Sequence, residues 1–251
     1  LKSLIENKCV YITEAKKSIE QYVNNHNIET INHCFSFLNQ DYLDSREKKS
    51  YCKIVQIKDN KLYKSEAFTK ILENENFKTK ILDSLNYGIL LYESEFASVN
   101  YGMPHFKINY KYNMKDVALL CNYNKIHSSF RGAGVLKFRN DYFLFVNLEK
   151  DQDIKESINY KNKFTSERYF QWQSKNNTSQ NSDEGFRLTK NKEAGYNLHL
   201  FVRKYKEVDK KIELFTYLGK ANTISYEGNK PITMQFELEN PISSNMFEEF
   251  R

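Results

Sequence analysis

Very few residues decide where this chain can turn sharply. Of its eight glycines and three prolines, only Gly88 precedes Val99. After that point Gly102, Pro104, Gly132, Gly134, Gly185, Gly195, Gly219, Gly228 and Pro231 cut the chain into short runs. Glycine and proline are the strongest local breakers. The first part is therefore free to build helices, and the second is held to short elements.

Apolar spacing agrees with that division. Leu4, Ile5, Ile12, Ala15, Ile19, Tyr22 and Val23 recur at helical intervals, and Ile28, Ile31, Phe35 and Leu38 mark a second face. Further helices are expected over Ser50–Gln56, Ser65–Leu72 and Phe77–Leu91, with joints at Asn24-Asn25, Asp59-Asn60 and Glu73–Asn76. An antiparallel helical bundle over residues 1–98, acting as a linker or coupling element, is the economical solution. Beyond it, β-branched and aromatic runs predict strands at Phe106–Tyr110, Val135–Arg139, Tyr142–Leu148, Phe186–Thr189, Leu198–Lys204, Leu214–Leu218 and Ile232–Leu238. Asn140-Asp141 reads as a hairpin turn, and a short helix fits Met114–Cys121. The expected class is α+β, a helical bundle followed by a mainly-β, barrel-like domain over residues 99–251.

With 18 Tyr and 18 Phe there is enough apolar surface for a packed core, which excludes disorder. No apolar run reaches the length of a membrane span and no secretory leader is visible, so a cytoplasmic protein without a membrane partner is expected. Cys9, Cys34, Cys52 and Cys121 form no C-x-x-C pair and read as free thiols. The five histidines lack metal-ligand spacing as well, so no metal site is expected. The chain opens at Leu1 directly into a helical pattern, as a piece of a longer polypeptide would.

Charge is unevenly placed. Residues 1–98 hold 14 basic and 14 acidic side chains, so the net +6 falls entirely on residues 99–251. A basic excess attracts polyanions, nucleic acid above all. Motifs for common chemistries are missing together: G-x-x-x-x-G-K-[ST], G-x-G-x-x-G and G-x-S-x-G do not occur. Arg131-Gly132-Ala133-Gly134 precedes a strand instead of opening a helix, and Asp209-Lys210-Lys211 reads as a solvated turn. No catalytic residue and no cofactor are assigned.

One segment is distinctive. Phe170-Gln171-Trp172-Gln173-Ser174-Lys175-Asn176-Asn177-Thr178-Ser179 sets the only Trp among amides and hydroxyls. Rings stack on a base face while amides satisfy its edge. The alternative is that Phe170 and Trp172, two apart on a strand, are core.

Here the sequence resembles a known family. "FQWQSKNNTSQNSDEG", "LHLFVRKYK" and "LFTYLGKANTISYEGNKPITMQFELENPI", with the earlier "RGAGV", "FLFVNLEK" and "INYKNKF", are similar to a C-terminal domain of bacterial restriction enzymes. In those enzymes it follows a phospholipase-D-type nuclease and a superfamily-2 helicase. The similarity runs over about Phe106–Ile242, and the helical part resembles the linker bundle before that domain. The resemblance implies a type IV, modification-dependent restriction enzyme of phage defence. Its nuclease and helicase would be upstream partners on the same polypeptide, with ATP and Mg serving the parent enzyme. This fragment would not itself be an enzyme. Residues 99–251 would recognise 5-methylcytosine or 5-hydroxymethylcytosine in double-stranded DNA by base flipping, on a curved barrel of the SET- and RING-associated type.

Residue chemistry, not the resemblance, nominates the contacts. Tyr169, Phe170 and Trp172 would stack on the base, and Gln173, Ser174, Asn176 and Thr178 would bond its edge. Asp183 or Glu184 would accept from the cytosine amino group. Arg131, Lys175, Arg187, Arg203, Lys204 and Lys206 would meet phosphates. From a different class, the chain could be a protein-interaction or regulatory module that docks a helicase or forms a homodimer.

Overall fold

The computed structural model describes residues 1–22, 31–32, 35, 38, 45, 47–50, 53–95, 106–121, 123, 134–148 and 162–251. They form two compact units, Leu1–Phe106 with Val117–Ser128, and Lys107–Asp116 with Ser129–Arg251. The class is α+β, with helices first and a large mixed sheet after them.

The first unit contains α1 (Lys2–Glu6), β1 (Cys9–Tyr11), α2 (Ile12–Glu20), α3 (Glu47–Ser50), β2 (Val55–Lys58), β3 (Lys61–Lys64), α4 (Glu66–Leu72) and α5 (Glu75–Glu95). The expected bundle is thus corrected by a three-stranded antiparallel sheet in the order β1-β3-β2. Asp59-Asn60 is not a joint between helices but the two-residue turn of the β2–β3 hairpin, with φ of 49° and 57°. Asn and Asp tolerate that left-handed conformation, which the right-handed strand twist demands. Of the helix expected over Ser50–Gln56, Ser50 ends α3 and Val55 and Gln56 open β2, while residues 51 and 52 lie outside the described residues. Leu4, Val55 and Leu62 make one small core, and Ile5, Phe68 and Leu72 another. Ser65 starts α4 where expected, its hydroxyl accepting from the Phe68 N–H at 3.0 Å.

The second unit is built on strands β4 (Lys111–Tyr112), β5 (Gly134–Phe138), β6 (Asp141–Asn147), β7 (Lys163–Phe164), β8 (Tyr169–Gln173), β9 (Asn197–Arg203), β12 (Phe215–Glu227) and β13 (Thr233–Leu238). Between β9 and β12 a separate two-stranded ribbon pairs β10 (Glu207–Val208) with β11 (Lys211–Ile212). Between β4 and β5 in sequence lies α6 (Met114–Leu120); α7 (Asp183–Thr189) and α8 (Ser244–Phe250) complete the set. Strand order is β5-β6-β9-β12-β13-β8-β7, with β4 also on β12. Among the described residues this path is open and no closed barrel forms. β6 and β9 are parallel and the other pairs antiparallel.

Two expected strands are corrected. Phe106–Tyr110 is a turn leading into the shorter β4. Phe186–Thr189 is the end of α7, because Ser182 caps that helix by accepting from the Gly185 N–H at 3.0 Å, and Asp183 and Glu184 oppose its dipole. The β5–β6 turn falls on Arg139-Asn140, one residue earlier than expected.

One sheet face carries the main core: Tyr142, Leu144, Val146, Phe170, Trp172, Leu198, Leu200, Val202, Leu218, Met234, Phe236 and Leu238, with Leu188 and Phe250 from α7 and α8. On the opposite face of β6, β9 and β12 a ladder of rings forms. Phe145 stacks on Phe201 at 5.0 Å, and Phe143 on His199 at 5.1 Å. β12 is long enough to serve β4, β9 and β13 because it bends, with register shifts between Tyr217 and Lys220 and between Thr223 and Ser225. Gly219, at φ 92°, sits in the first of these. Among the described residues no helix is long and apolar enough to cross a membrane.

Candidate nucleic-acid interface

The strand bearing the only tryptophan divides its side chains between two environments. Phe170 and Trp172 are 0% and 5% exposed. Phe170 packs on Phe164 at 4.7 Å, and Trp172 stacks on Phe236 at 5.6 Å. The base pocket expected at these two rings is therefore corrected. Residues two apart on a strand share a face, and here that face is the core.

The loop after β8 is likewise structural where it was expected to bond a base. Ser174 and Thr178 are buried. Ser174 Oγ accepts from the Ile232 N–H at 2.9 Å and donates to the Lys175 carbonyl at 3.2 Å. Thr178 N–H donates to the same carbonyl, and its own carbonyl accepts from Lys230 N–H. Asn176 lies exposed in this loop.

Asp183 and Glu184 stand on the first turn of α7. Asp183 pairs with Arg187 at 3.2 Å and Glu184 with Lys175 at 3.4 Å. Two expected base acceptors and two expected phosphate contacts thus engage one another, in pairs open to solvent and screened by it. Arg203 is corrected outright. It is 5% exposed, donating from Nε to Asn147 Oδ1 at 2.7 Å and from Nη1 to the Glu213 carbonyl at 2.6 Å. Its guanidinium lies 4.0 Å from the Phe215 ring centroid. Burial lowers its pKa, with the Glu213 charge partly offsetting this. Lys204 lies over the Tyr205 ring and Lys206 is exposed, both at the root of the ribbon. Arg131 lies outside the described residues.

The outward face of the same strand is polar. Tyr169 is 37% exposed, and Gln171 and Gln173 are half-buried. Pairing carries this face across four strands. Lys163 stands opposite Gln171, Gln171 opposite Gln235, and Gln235 opposite Ser225. In the next row Gln173 stands opposite Thr233 and Thr233 opposite Glu227; beyond the first row Tyr169 faces Glu237. Gln173 Nε2 donates to Thr233 Oγ1 at 3.2 Å, and Gln235 Nε2 to Thr165 Oγ1 at 2.9 Å. Arg168 flanks the rows, 4.0 Å from Glu237. An open cavity of about 190 Å³ lies here, lined by Gln171, Ser225, Tyr226, Glu227, Thr233 and Gln235, with Met234 below.

Amides both donate and accept, hydroxyls do either, and the carboxylate accepts. That mixture suits the edges of nucleic-acid bases. Of the nominated residues, the register gathers only Tyr169 and Gln173 here. Gln171, Ser225, Thr233 and Gln235 were missed. The signal for Gln171, Thr233 and Gln235 was the strict alternation of "YFQWQ" and "TMQFEL", whose polar positions are mostly amide or hydroxyl; Ser225 lies in neither segment. Among the described residues, no three His, Cys, Asp or Glu side chains gather to hold a metal.

Residues 106–250, more than half of the chain, match the family model described as Domain of unknown function (DUF3427). The chain belongs to the DUF3427 family. The polar rows and the β10–β11 ribbon all fall within the DUF3427 match. Residues 1–95 match a second model, Domain of unknown function (DUF8090). No curated protein matches the chain.

Proposed function

We propose that the second unit is a DNA-binding specificity module. It reads 5-methylcytosine or 5-hydroxymethylcytosine in duplex DNA, within an ATP-dependent type IV restriction enzyme. One observation carries this reading: the Lys163–Gln171–Gln235–Ser225 row beside the Gln173–Thr233–Glu227 row. Together they present base-edge chemistry on an open sheet face next to a cavity. The basic excess of residues 99–251 and the resemblance to restriction-enzyme C-terminal domains support it from the sequence.

On this reading the stacking and bonding roles move from the core side of β8 to its solvent side. Tyr169 supplies a ring, Gln171 and Gln235 bond the base edge, and Glu227 accepts from an amino group. Lys163 and Arg168 serve the backbone. On the same reading the sheet, bent at β12, would be the curved wall of an open pseudo-barrel of the SET- and RING-associated type. Flipping a base costs a few kcal/mol, which stacking at roughly 1–3 kcal/mol per base offsets only together with edge bonds. Nuclease and helicase would be further parts of the same enzyme, and ATP and Mg would serve those parts.

Anisotropy titrations of modified and unmodified duplexes at one salt concentration test this. Modified duplexes should bind roughly 10–200-fold tighter, the span a shaped pocket gives for one small group. Gln171→Ala with Gln235→Ala should collapse that ratio without lowering the melting temperature. Equal affinities in the wild type overturn modified-cytosine reading, and no duplex binding at all overturns the DNA role.

A further inference from the structure

Among the described residues the ribbon β10–β11 stands apart from the eight-stranded sheet and its strands pair with each other alone, Glu207 opposite Ile212 and Val208 opposite Lys211. All four of its paired residues are exposed. Its turn is Asp209-Lys210, with φ of 50° and 63°, the tight two-residue geometry that keeps a ribbon narrow. The Glu213 N–H donates to the Lys206 carbonyl at 3.1 Å, so the pairing continues to the root.

That register sorts the side chains. Lys206, Val208 and Lys211 share one face with Glu213, which sits at the root, and Lys210 occupies the tip. Glu207 and Ile212 share the other face. Ile212 is 70% exposed, the most exposed large apolar side chain among the described residues, and Val208 is 43% exposed. At the root a cavity of about 330 Å³ is lined by Lys111, Lys204, Tyr205, Val208, Leu214 and Glu249, among others. Lysines therefore run from the root to the tip, beside apolar side chains that the fold leaves in water. Counting its acids Glu207, Asp209 and Glu213, the stretch Lys204–Leu214 is only weakly basic. The lysine positions, more than the net charge, select the partner.

We propose that this ribbon enters a groove of duplex DNA, with Lys206, Lys210 and Lys211 on phosphates and Val208 or Ile212 against base edges. A two-stranded ribbon fits the major groove, and phosphate contacts orient a protein without carrying sequence information. The inference rests on the DNA-binding role but uses residues distinct from the amide rows. The ribbon sets affinity and register, while the rows set the preference for modified bases.

The test is binding of the 251-residue chain carrying Lys206→Ala, Lys210→Ala and Lys211→Ala to modified and unmodified duplexes across a salt series. Affinity should fall for both duplexes alike, the modified-to-unmodified ratio should hold, and the slope of log K against log salt should flatten by roughly 2–3. Should the triple variant fold poorly by circular dichroism, Lys210→Gln with Lys211→Gln at the tip should flatten the slope by roughly 2. Ile212→Ala should weaken binding while leaving the slope intact. An unchanged slope and affinity, with wild-type binding present, overturns the ribbon's role and leaves the amide rows standing. So does loss of a dimer in sedimentation with DNA binding untouched, which assigns the ribbon to a protein contact. Failure of the wild-type chain to bind any duplex overturns both.

Discussion

His199 Nε2 lies 2.9 Å from Asp141 Oδ1, while Nδ1 of the same fully buried ring lies 2.9 Å from the Tyr217 hydroxyl. Burial, then the charges of Glu239 and neighbours, push the Tyr217 pKa up, so its hydroxyl keeps its proton. Burial alone would raise the Asp141 pKa. The hydrogen bond and charge of His199, with Asn197 and Lys220, outweigh it and leave the value lowered.

The sign of the pH effect follows. A carboxylate lowered in the folded state stabilises the fold above its unfolded pKa of about 3.9, and that contribution is lost as pH falls through the folded value. Asp141→Asn should cost about 1–3 kcal/mol at pH 7, read by urea melts. The variant should also lose less stability than the wild type between pH 4 and pH 2. A parallel decline in both proteins would show that Asp141 is not a source of the acid sensitivity.

Trp172 should behave as a core residue in solution. Its emission should be blue-shifted, resist acrylamide until the chain unfolds, and stay unchanged on adding duplex DNA. Trp172→Ala should cost about 3–5 kcal/mol, the range for emptying a large buried site. Quenching of the native fluorescence by DNA would instead return this ring to the binding surface.

A methyl group at Gly185 has no room. A Cβ there would overlap the Ser179 carbonyl oxygen, so α7 must cross the preceding loop at a glycine. Gly185→Ala is expected to destabilise by about 1–3 kcal/mol through overpacking, read as a lower urea midpoint. Gly88, with nothing within 4 Å of its Cβ position, is the control. On α5, Gly88→Ala should be stabilising by about 1 kcal/mol.

Lys64 holds the end of α1. Its Nζ donates to the Leu4 carbonyl at 2.9 Å and the Asn7 carbonyl at 2.8 Å, with the Ile5 carbonyl at 3.4 Å. A cation at a helix C-terminus satisfies carbonyls that the helix leaves open. Lys64→Met should cost about 1–2 kcal/mol and speed hydrogen exchange in α1 and β3. Unaltered exchange there would deny it this role.

Local chemistry by itself determined much of this protein. Ser65 and the apolar spacing after it specify α4, the alternation of Phe170, Trp172, Met234 and Phe236 with polar neighbours specifies β8 and β13, and the glycine distribution marks where helices yield to strands. It also misled where turn chemistry competes with helical spacing, at Asp59-Asn60, and where a serine cap overrides an aromatic run, at Ser182. Alternation left two readings of Phe170 and Trp172, base pocket or core, and tertiary structure decided for the core by packing Phe164 and Phe236 against them. It alone placed Gln235 and Ser225 beside Gln171, since register between strands more than fifty residues apart is set by packing across the whole sheet. It alone buried Arg203 while leaving Lys206 in water: on the sheet a side chain's surroundings come from distant residues such as Asn147 and Phe215, which no local window contains.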